Sequence, residues 1–318
     1  MAKVHMGYIG SAQLSSPSNK IATTPVFLTG SSINPVQNIN APDLVQGQYV
    51  KHLWNQDKIE IGGNITGPIA SNHTSVFDAA FLRDTSGTQV NVDHMNAEDL
   101  VVEISYYRSA GRKFNHCAIN SYELTVTAGD VANFTVDFMG TADPIDPASK
   151  GVEGQSDKNF PADCLKLVTW DRCGFNLTPA PADFEVQAFT FTVNNNLQRV
   201  YKIWTTNDTP AYKLYPVELV AGFQDMNGTL TVFAEGGAPE AVYTVSTAGA
   251  AGFGAESYDT YSVTNKHTVN LMVGKGAGVT TIIDETLDVV FRRPEASART
   301  DVQVYTLNYQ VLCSKSLT

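Results

Sequence analysis

The sequence lacks the features that mark several common classes of protein. No stretch approaches the roughly 20 apolar residues of a transmembrane helix, and the start, Met-Ala-Lys-Val-His-Met-Gly, has no apolar signal-peptide core. We therefore expect synthesis in a cytoplasm and no membrane insertion. The 21 basic residues are outnumbered by 32 acidic ones, giving a net charge of −11, and they form no basic block. This balance argues against tight DNA or RNA binding.

Cysteine is scarce, and its spacing does not indicate a metal site. There is no Cys-x-x-Cys pair, and His116 is directly adjacent to Cys117, which is a poor arrangement for ligands of one metal. We expect no metal and no cofactor. Free thiols are the prediction for all the cysteines, with an inter-subunit disulfide as the alternative. The cysteines are Cys117, Cys164, Cys173 and Cys313.

Catalytic motifs are also missing. The chain contains no Gly-x-Ser-x-Gly, no His-Glu-x-x-His, no phosphate-binding loop and no dinucleotide fingerprint. The glycine-rich segment 274–278 is interpreted as a hairpin tip, and Asp93-His94 as a solvated turn. The sequence therefore predicts a protein that is not an enzyme.

Strict alternation of apolar and polar residues is what the sequence has in abundance. Residues 119–139 contain two alternating segments that meet at the turn residues 128–130, which predicts an antiparallel hairpin with one dry and one polar face. The same threonine-rich alternation returns at 186–193 and 226–233. Within the last segment, Asn227-Gly228-Thr229 is interpreted as a turn that enters a strand.

The remaining segments suggest a β domain with extensions. Residues 1–45 are rich in Ser, Asn and Pro and predict an extended arm, whereas residues 46–318 predict the β domain. A short helix is expected from Thr74 to Arg83, and a long acidic loop over 141–165. The halves 46–165 and 166–318 have a similar layout, which is explained either by internal duplication or by the self-similarity of any meandering β protein.

Three of these segments, in order and spacing, carry a family resemblance. Ile119 to Gly140, Phe189 to Leu197 and Gly222 to Phe233 resemble the tail tube proteins of long-tailed bacteriophages, within a pattern covering about residues 55–312. The resemblance implies a mainly β fold, an antiparallel β-barrel or sandwich with one short helix and long arms or loops. It also implies a structural virion protein, made in the host cytoplasm, whose stacked rings form a hollow tube for DNA ejection.

The resemblance further implies the partners of the chain. These are other copies of itself, in hexameric or trimeric pseudo-hexameric rings, and other tail proteins, namely the tape measure, the terminator and, as a further candidate, a sheath. Genomic DNA would pass through the tube transiently without adhering to it.

The polar phase of the strands is the candidate wall of that channel. An open sheet with a polar second face exposes its edges, and subunits joined edge to edge in a ring would remove them. An acidic inner wall would repel phosphate, so that DNA slides. An outer, solvent-facing surface is the alternative for this phase. The predicted lumen-facing residues are Thr125, Thr135, Asp137, Thr190, Thr192, Thr229 and Thr231.

Two other functions fit the same composition. One is another virion shell component, a sheath or decoration protein, which would also be β-rich, acidic and non-catalytic. The other is a carbohydrate-binding β-sandwich, in which exposed aromatic rings stack on sugars. The aromatic candidates for this role are Trp54, Trp170, Trp204, Tyr106 and Tyr107.

Overall fold

The computed structural model describes sixteen segments of the chain. In these segments no helix is both long and apolar enough to cross a membrane. The residues Asp93-His94, Trp54, Trp204, Tyr106-Tyr107 and Cys164, which the sequence analysis discussed, lie outside them, as does most of the 141–165 loop. The segments are 11–14, 24–32, 34–40, 55–71, 73–81, 100–105, 112–140, 144–145, 166–178, 184–201, 203, 216, 218–234, 267–274, 281–291 and 304–314.

The fold is mainly β, as the sequence predicted. One α-helix, α1 (Thr74–Ala80), and a 3-10 turn at Trp170–Arg172 occur in the described segments. The strands are β1 (Ser11–Leu14), β2 (Thr24–Phe27), β3 (Gly30–Ser31), β4 (Asn34–Asn40), β5 (Asn55–Pro68), β6 (Leu100–Ser105), β7 (Arg112–Thr127), β8 (Asn133–Gly140), β9 (Pro144–Ile145), β10 (Cys173–Thr178), β11 (Phe184–Asn194), β12 (Gln198–Val200), β13 (Glu218–Val220), β14 (Asp225–Ala234), β15 (His267–Val273), β16 (Ile283–Phe291) and β17 (Val304–Ser314).

Fifteen of these strands form a single antiparallel sheet that curls into a half-barrel. Its main path runs β10-β15-β16-β17-β14-β11-β7-β6-β1-β2, and β12 and β13 form a separate pair. The sheet branches at the long strand β7. Over residues 121–125, β11 pairs with one edge of β7 and β8 pairs with the other. The predicted hairpin of β7 and β8 is confirmed, with Gly129 at positive φ in its turn.

The core lies on the apolar side of this sheet. The apolar phase of the hairpin is fully buried, and α1 covers it with Phe77 and Phe81. Phe81 stacks on Phe191 with ring centroids 6.0 Å apart, and Phe77 meets Tyr122 edge-on at 5.6 Å. Each such buried ring contributes about 1.5–3 kcal/mol. The predicted helix start at Thr74 is confirmed, and residues 82–83 lie outside the described segments.

The N-terminal region differs from the predicted arm. Strands β3 and β4 pair with β5, and β1 pairs with β6, so these parts of residues 1–45 belong to the main sheet. Val26 and Leu28 are buried in the core. A segment rich in Ser, Asn and Pro shows little of the apolar–polar alternation that predicts a strand. Strands β3 and β4 form because their backbone groups pair with β5, and amino-acid composition does not reveal such pairing. The division into two similar halves stays a prediction.

Candidate functional site

The seven residues predicted to line a channel lie on one face of the sheet. Directly opposed residues of neighbouring antiparallel strands point to the same side. Thr125 of β7 opposes Thr190 of β11, which opposes Thr229 of β14. In the next row, Thr135 of β8 opposes Glu123, and Glu123 opposes Thr192. The structure therefore brings together side chains that are more than 100 positions apart in the chain, a relation that the sequence pattern alone did not specify.

This polar face continues over six strands in the order β5-β8-β7-β11-β14-β17. We call it the threonine face and define it by four rows of opposed residues. The predicted residues Thr231 and Asp137 lie in the third and fourth of these rows. The rows are Thr66-Thr135-Glu123-Thr192-Asn227-Gln310, Asn133-Thr125-Thr190-Thr229-Asn308, Thr127-Ala188-Thr231-Thr306 and Asn64-Asp137-Ser121-Asn194-Asp225.

The charged side chains in the four rows of the threonine face are all acidic. None of the residues in the four rows is Lys or Arg, and the ionisable ones are Glu123, Asp137 and Asp225. All seven predicted residues are partly exposed, whereas their neighbours in the apolar phase are buried. The face is therefore a wide, hydrated and acidic surface.

The threonine hydroxyls are tied into the sheet. The Oγ1 atoms of Thr190 and Thr229 are 2.8 Å apart, and the backbone N of Thr229 donates to Thr190 Oγ1 at 2.9 Å. Threonine also suits strands because its β-branched side chain packs well on a pleated surface. The hydroxyl groups are therefore engaged with neighbouring strands as well as open to solvent.

Asp137 has a structural role besides its charge. Its Oδ2 accepts a hydrogen bond of 3.1 Å from Asn120 Nδ2. Asn120 Oδ1 in turn accepts one of 3.0 Å from the backbone N of Leu197, at the end of β11. Asp137 thus helps to hold the β11–β12 connection, which the sequence pattern did not reveal.

Gly228 lies inside β14, on the side of the sheet opposite the threonine face, at a position that only glycine fits. It opposes Phe191 on one side and Tyr309 on the other, so the interpretation of 227–229 as a turn was wrong. The Tyr309 ring crosses over Gly228, and its hydroxyl donates to the backbone O of Thr190 at 2.6 Å. In the local sequence a glycine of this kind suggests a turn. Here it instead makes room for an aromatic side chain from the neighbouring strand.

Asn195 joins three parts of the fold at one end of β11, and sequence analysis missed it. The residue is buried, and its Nδ2 donates to the backbone O of Ala80 at 3.0 Å and of Ile119 at 2.8 Å. Its Oδ1 accepts from Gln224 Nε2 at 2.8 Å. Asn195 thereby satisfies a carbonyl at the end of α1 that has no partner within the helix.

Replacing Asn195 with alanine is expected to lower the free energy of unfolding by about 2–4 kcal/mol. Two buried carbonyl oxygens would lose their donor, at about 1–3 kcal/mol each. Urea unfolding followed by tryptophan fluorescence measures the change. The matched control is Asn308→Ala, because Asn308 is exposed and surface substitutions usually stay within about 0.5 kcal/mol. Equal stability of the two variants would contradict the assigned role.

His73, Cys117 and Cys173 are titratable groups that are buried or partly buried. His73 Nε2 lies 3.1 Å from the Tyr122 hydroxyl, and burial lowers the pKa of His73 to about 3, so the ring is neutral near pH 7. Cys117 and Cys173 form no disulfide bond. Burial raises the pKa of Cys117 to about 12 and that of Cys173 to about 11, so both stay protonated. Protonated thiols are poor nucleophiles.

The fold and this face define a class of protein. The chain is a mainly β protein, in which a curled antiparallel sheet has a threonine-rich face on one side and a helix-covered core on the other. The model of the phage tail tube protein family matches residues 54–311, and the chain belongs to this family. The chain is thus a structural component of the phage tail, as the resemblance implied. No curated protein sequence matches it closely enough to count as a relative.

Proposed function

We propose that this tail tube protein closes into rings through its sheet edges and that the threonine face lines the channel for DNA. The observation that supports this most strongly is the continuity of the face, which extends over six paired strands without a Lys or Arg in its rows. The sheet is buried by the core on one side and polar over this width on the other. Such a sheet fits the wall of a water-filled channel. The family assignment favours a tube over the carbohydrate-binding alternative.

The strands at the ends of the sheet supply the ring contacts. Within the described segments, β10 pairs only with β15, and β2 pairs only with β1. Each therefore presents a row of backbone N–H and C=O groups to a neighbour. Such edges are prone to strand addition, and a closed ring removes them. Obligate contacts of this type bury on the order of 2,000 Å² or more.

An acidic wall suits a conduit for DNA. Phosphate groups are repelled by Glu123, Asp137 and Asp225, and the hydroxyl groups keep the wall hydrated without fixed positive charge. DNA then passes without the counterion release that makes basic proteins bind it tightly. The tape measure, the terminator and a sheath are the other tail partners in this proposal, in rings of six subunits or of three duplicated ones.

Electron microscopy of the purified chain tests the proposal. We expect rings with a central hole, and stacks of rings, in the absence of any other virion protein. Antibodies raised against the chain are expected to label virions along the tail. A monomer that binds sugars and forms no rings would contradict the proposal, and label on the capsid would indicate a decoration protein.

A further inference from the structure

A second, smaller apolar core lies on the same side of the sheet as the threonine face. The row that follows the fourth row, with the alternation of β5 and β8 unbroken, is Gly62-Met139-Ala118. Ala118 forms a buried cluster with Leu197 and Leu219, and Met139 packs against it. Leu197 directly precedes β12, and Leu219 lies in β13. The β12–β13 pair therefore covers the sheet just beyond one end of the threonine face.

Side chains of β12 and of the residue after it lie directly on β5. Arg199 opposes Leu219 in the β12–β13 register, so its side chain is on the side that faces the sheet. A Cβ added to Gly62 would lie 2.8 Å from Arg199 Nη2, so the guanidinium group rests on the β5 backbone. Lys58 Nζ lies 5.5 Å from the centre of the Tyr201 ring. Two cations, Lys58 and Arg199, are thus placed beside the threonine face, on its side of the sheet.

One carboxylate, that of Glu60, contacts both of these cations. Lys58 Nζ is 2.6 Å from Glu60 Oε1, and Arg199 Nη1 is 3.7 Å from Glu60 Oε2. The hydrogen bond from Lys58 holds the pKa of Glu60 below its ordinary value, so the carboxylate is ionised near pH 7. The two cations would carry two positive charges by themselves, and Glu60 cancels one of them.

We propose that Glu60 keeps Lys58 and Arg199 from binding the phosphate groups of DNA that passes through the channel. This inference rests on the proposed function, because the cluster meets DNA only where the threonine face lines the channel. Lys58 is the cation that DNA would reach, since 46% of its side chain is exposed, against 18% for Arg199. A phosphate oxygen that approached the Lys58 ammonium group would also approach the Glu60 carboxylate, and the two negative charges repel each other. Without that carboxylate, a lysine of this kind is an ordinary phosphate contact.

The test replaces Glu60 with glutamine, which keeps the shape of the side chain and removes its charge. We expect virions with Glu60→Gln tubes to eject DNA several-fold more slowly at low salt and to recover as salt increases, because Lys58 then contacts phosphate. Glu123→Gln is the matched control, since it removes one negative charge from rows that contain no Lys or Arg. This control is expected to eject DNA at the normal rate. Adding Lys58→Gln to Glu60→Gln is expected to restore the normal rate.

A further variant, Thr192→Lys, separates this inference from the proposed function, because it places a lysine within the threonine face itself. A slow Thr192→Lys virion beside a Glu60→Gln virion of normal rate would overturn the role of Glu60 and leave the channel wall in place. Normal rates for both would overturn the proposed function and this inference with it. Equal slowing in Glu60→Gln and in the double variant with Lys58→Gln would mean that the β12–β13 pair has loosened, which also overturns the role of Glu60.

Electron microscopy checks that the tails of each variant reach normal length. If Glu60→Gln tails do not assemble, binding of a short fluorescent DNA duplex to the purified chains gives the same comparison. At low salt we expect Glu60→Gln to bind the duplex several-fold more tightly than Glu123→Gln does, and the addition of Lys58→Gln to abolish the difference. Equal binding by Glu60→Gln and Glu123→Gln would overturn the inference.

Discussion

Replacing Gly228 with alanine is expected to destabilise the protein by about 2–6 kcal/mol. A Cβ at this position would lie 2.1 Å from the backbone O of Thr190 and 2.4 Å from the Tyr309 hydroxyl O, whereas real Cβ contacts remain beyond 3.0 Å. Relief of the clash must separate β14 from β11 or displace Tyr309 and break its hydrogen bond to Thr190. Overpacking costs about 1–3 kcal/mol and an unpaired buried group about 1–3 kcal/mol more.

A loss of this size is a large share of the 5–15 kcal/mol that typically stabilises a folded domain. The expected result is a strong fall in soluble yield and in the urea midpoint. Gly174→Ala is the matched control, because Gly174 is also a strand glycine and its Cβ would meet only the flexible Cε of Met272, at 3.1 Å. We expect Gly174→Ala to change stability by less than about 1 kcal/mol.

A second substitution separates the two clashes. Adding Tyr309→Phe to Gly228→Ala removes the hydroxyl that a Cβ would touch, but it leaves the contacts with the Thr190 carbonyl and with the ring carbon Cζ of residue 309 unchanged. We therefore expect little recovery of stability in the double variant. A Gly228→Ala protein as stable as Gly174→Ala would refute the close approach of the three strands.

Local sequence patterns predicted the strands because a period of two is a property of each strand by itself. Leu124, Val126 and Phe134 are buried as the alternation required. The position of Gly228 under Tyr309 could not be predicted in this way, since it depends on which distant strands become neighbours. The same reason applies to Asn195, whose partners Ala80 and Ile119 are 115 and 76 positions away.

The common face of the candidate residues follows from the sequence pattern, whereas their role as a channel wall stays a prediction. Thr125, Thr190 and Thr229 share one phase of alternation, so a common face follows once their strands pair. The N-terminal strands were not recognised, because β4 contains Asn34, Pro35 and Asn40, which are depleted in strands. Strand β4 forms because its backbone pairs with the edge of β5. This pairing depends on the tertiary structure and not on the local sequence.

Replacing Thr192 with lysine is expected to slow DNA ejection several-fold at low salt. Thr192 is partly exposed at the middle of the threonine face, between Glu123 and Asn227. Asp137 is a less clean position for this test, because its carboxylate also accepts the hydrogen bond from Asn120. One lysine in every subunit would repeat a positive charge along the proposed DNA path. Each phosphate that it contacts adds about 0.7–0.9 to the slope of log affinity against log salt.

Two substitutions at the same position isolate the charge from the size of the side chain. Thr192→Gln is comparable in length but neutral, and Thr192→Glu carries the charge of the existing wall, so both are expected to eject DNA at close to the normal rate. The Thr192→Lys rate should rise towards normal as salt increases, because screening weakens phosphate contacts. Ejection is followed by the fluorescence of a dye that binds released DNA. Equal slowing in Lys and Gln variants would mean that bulk obstructs the channel, and a normal Lys rate at low salt would place the threonine face outside it.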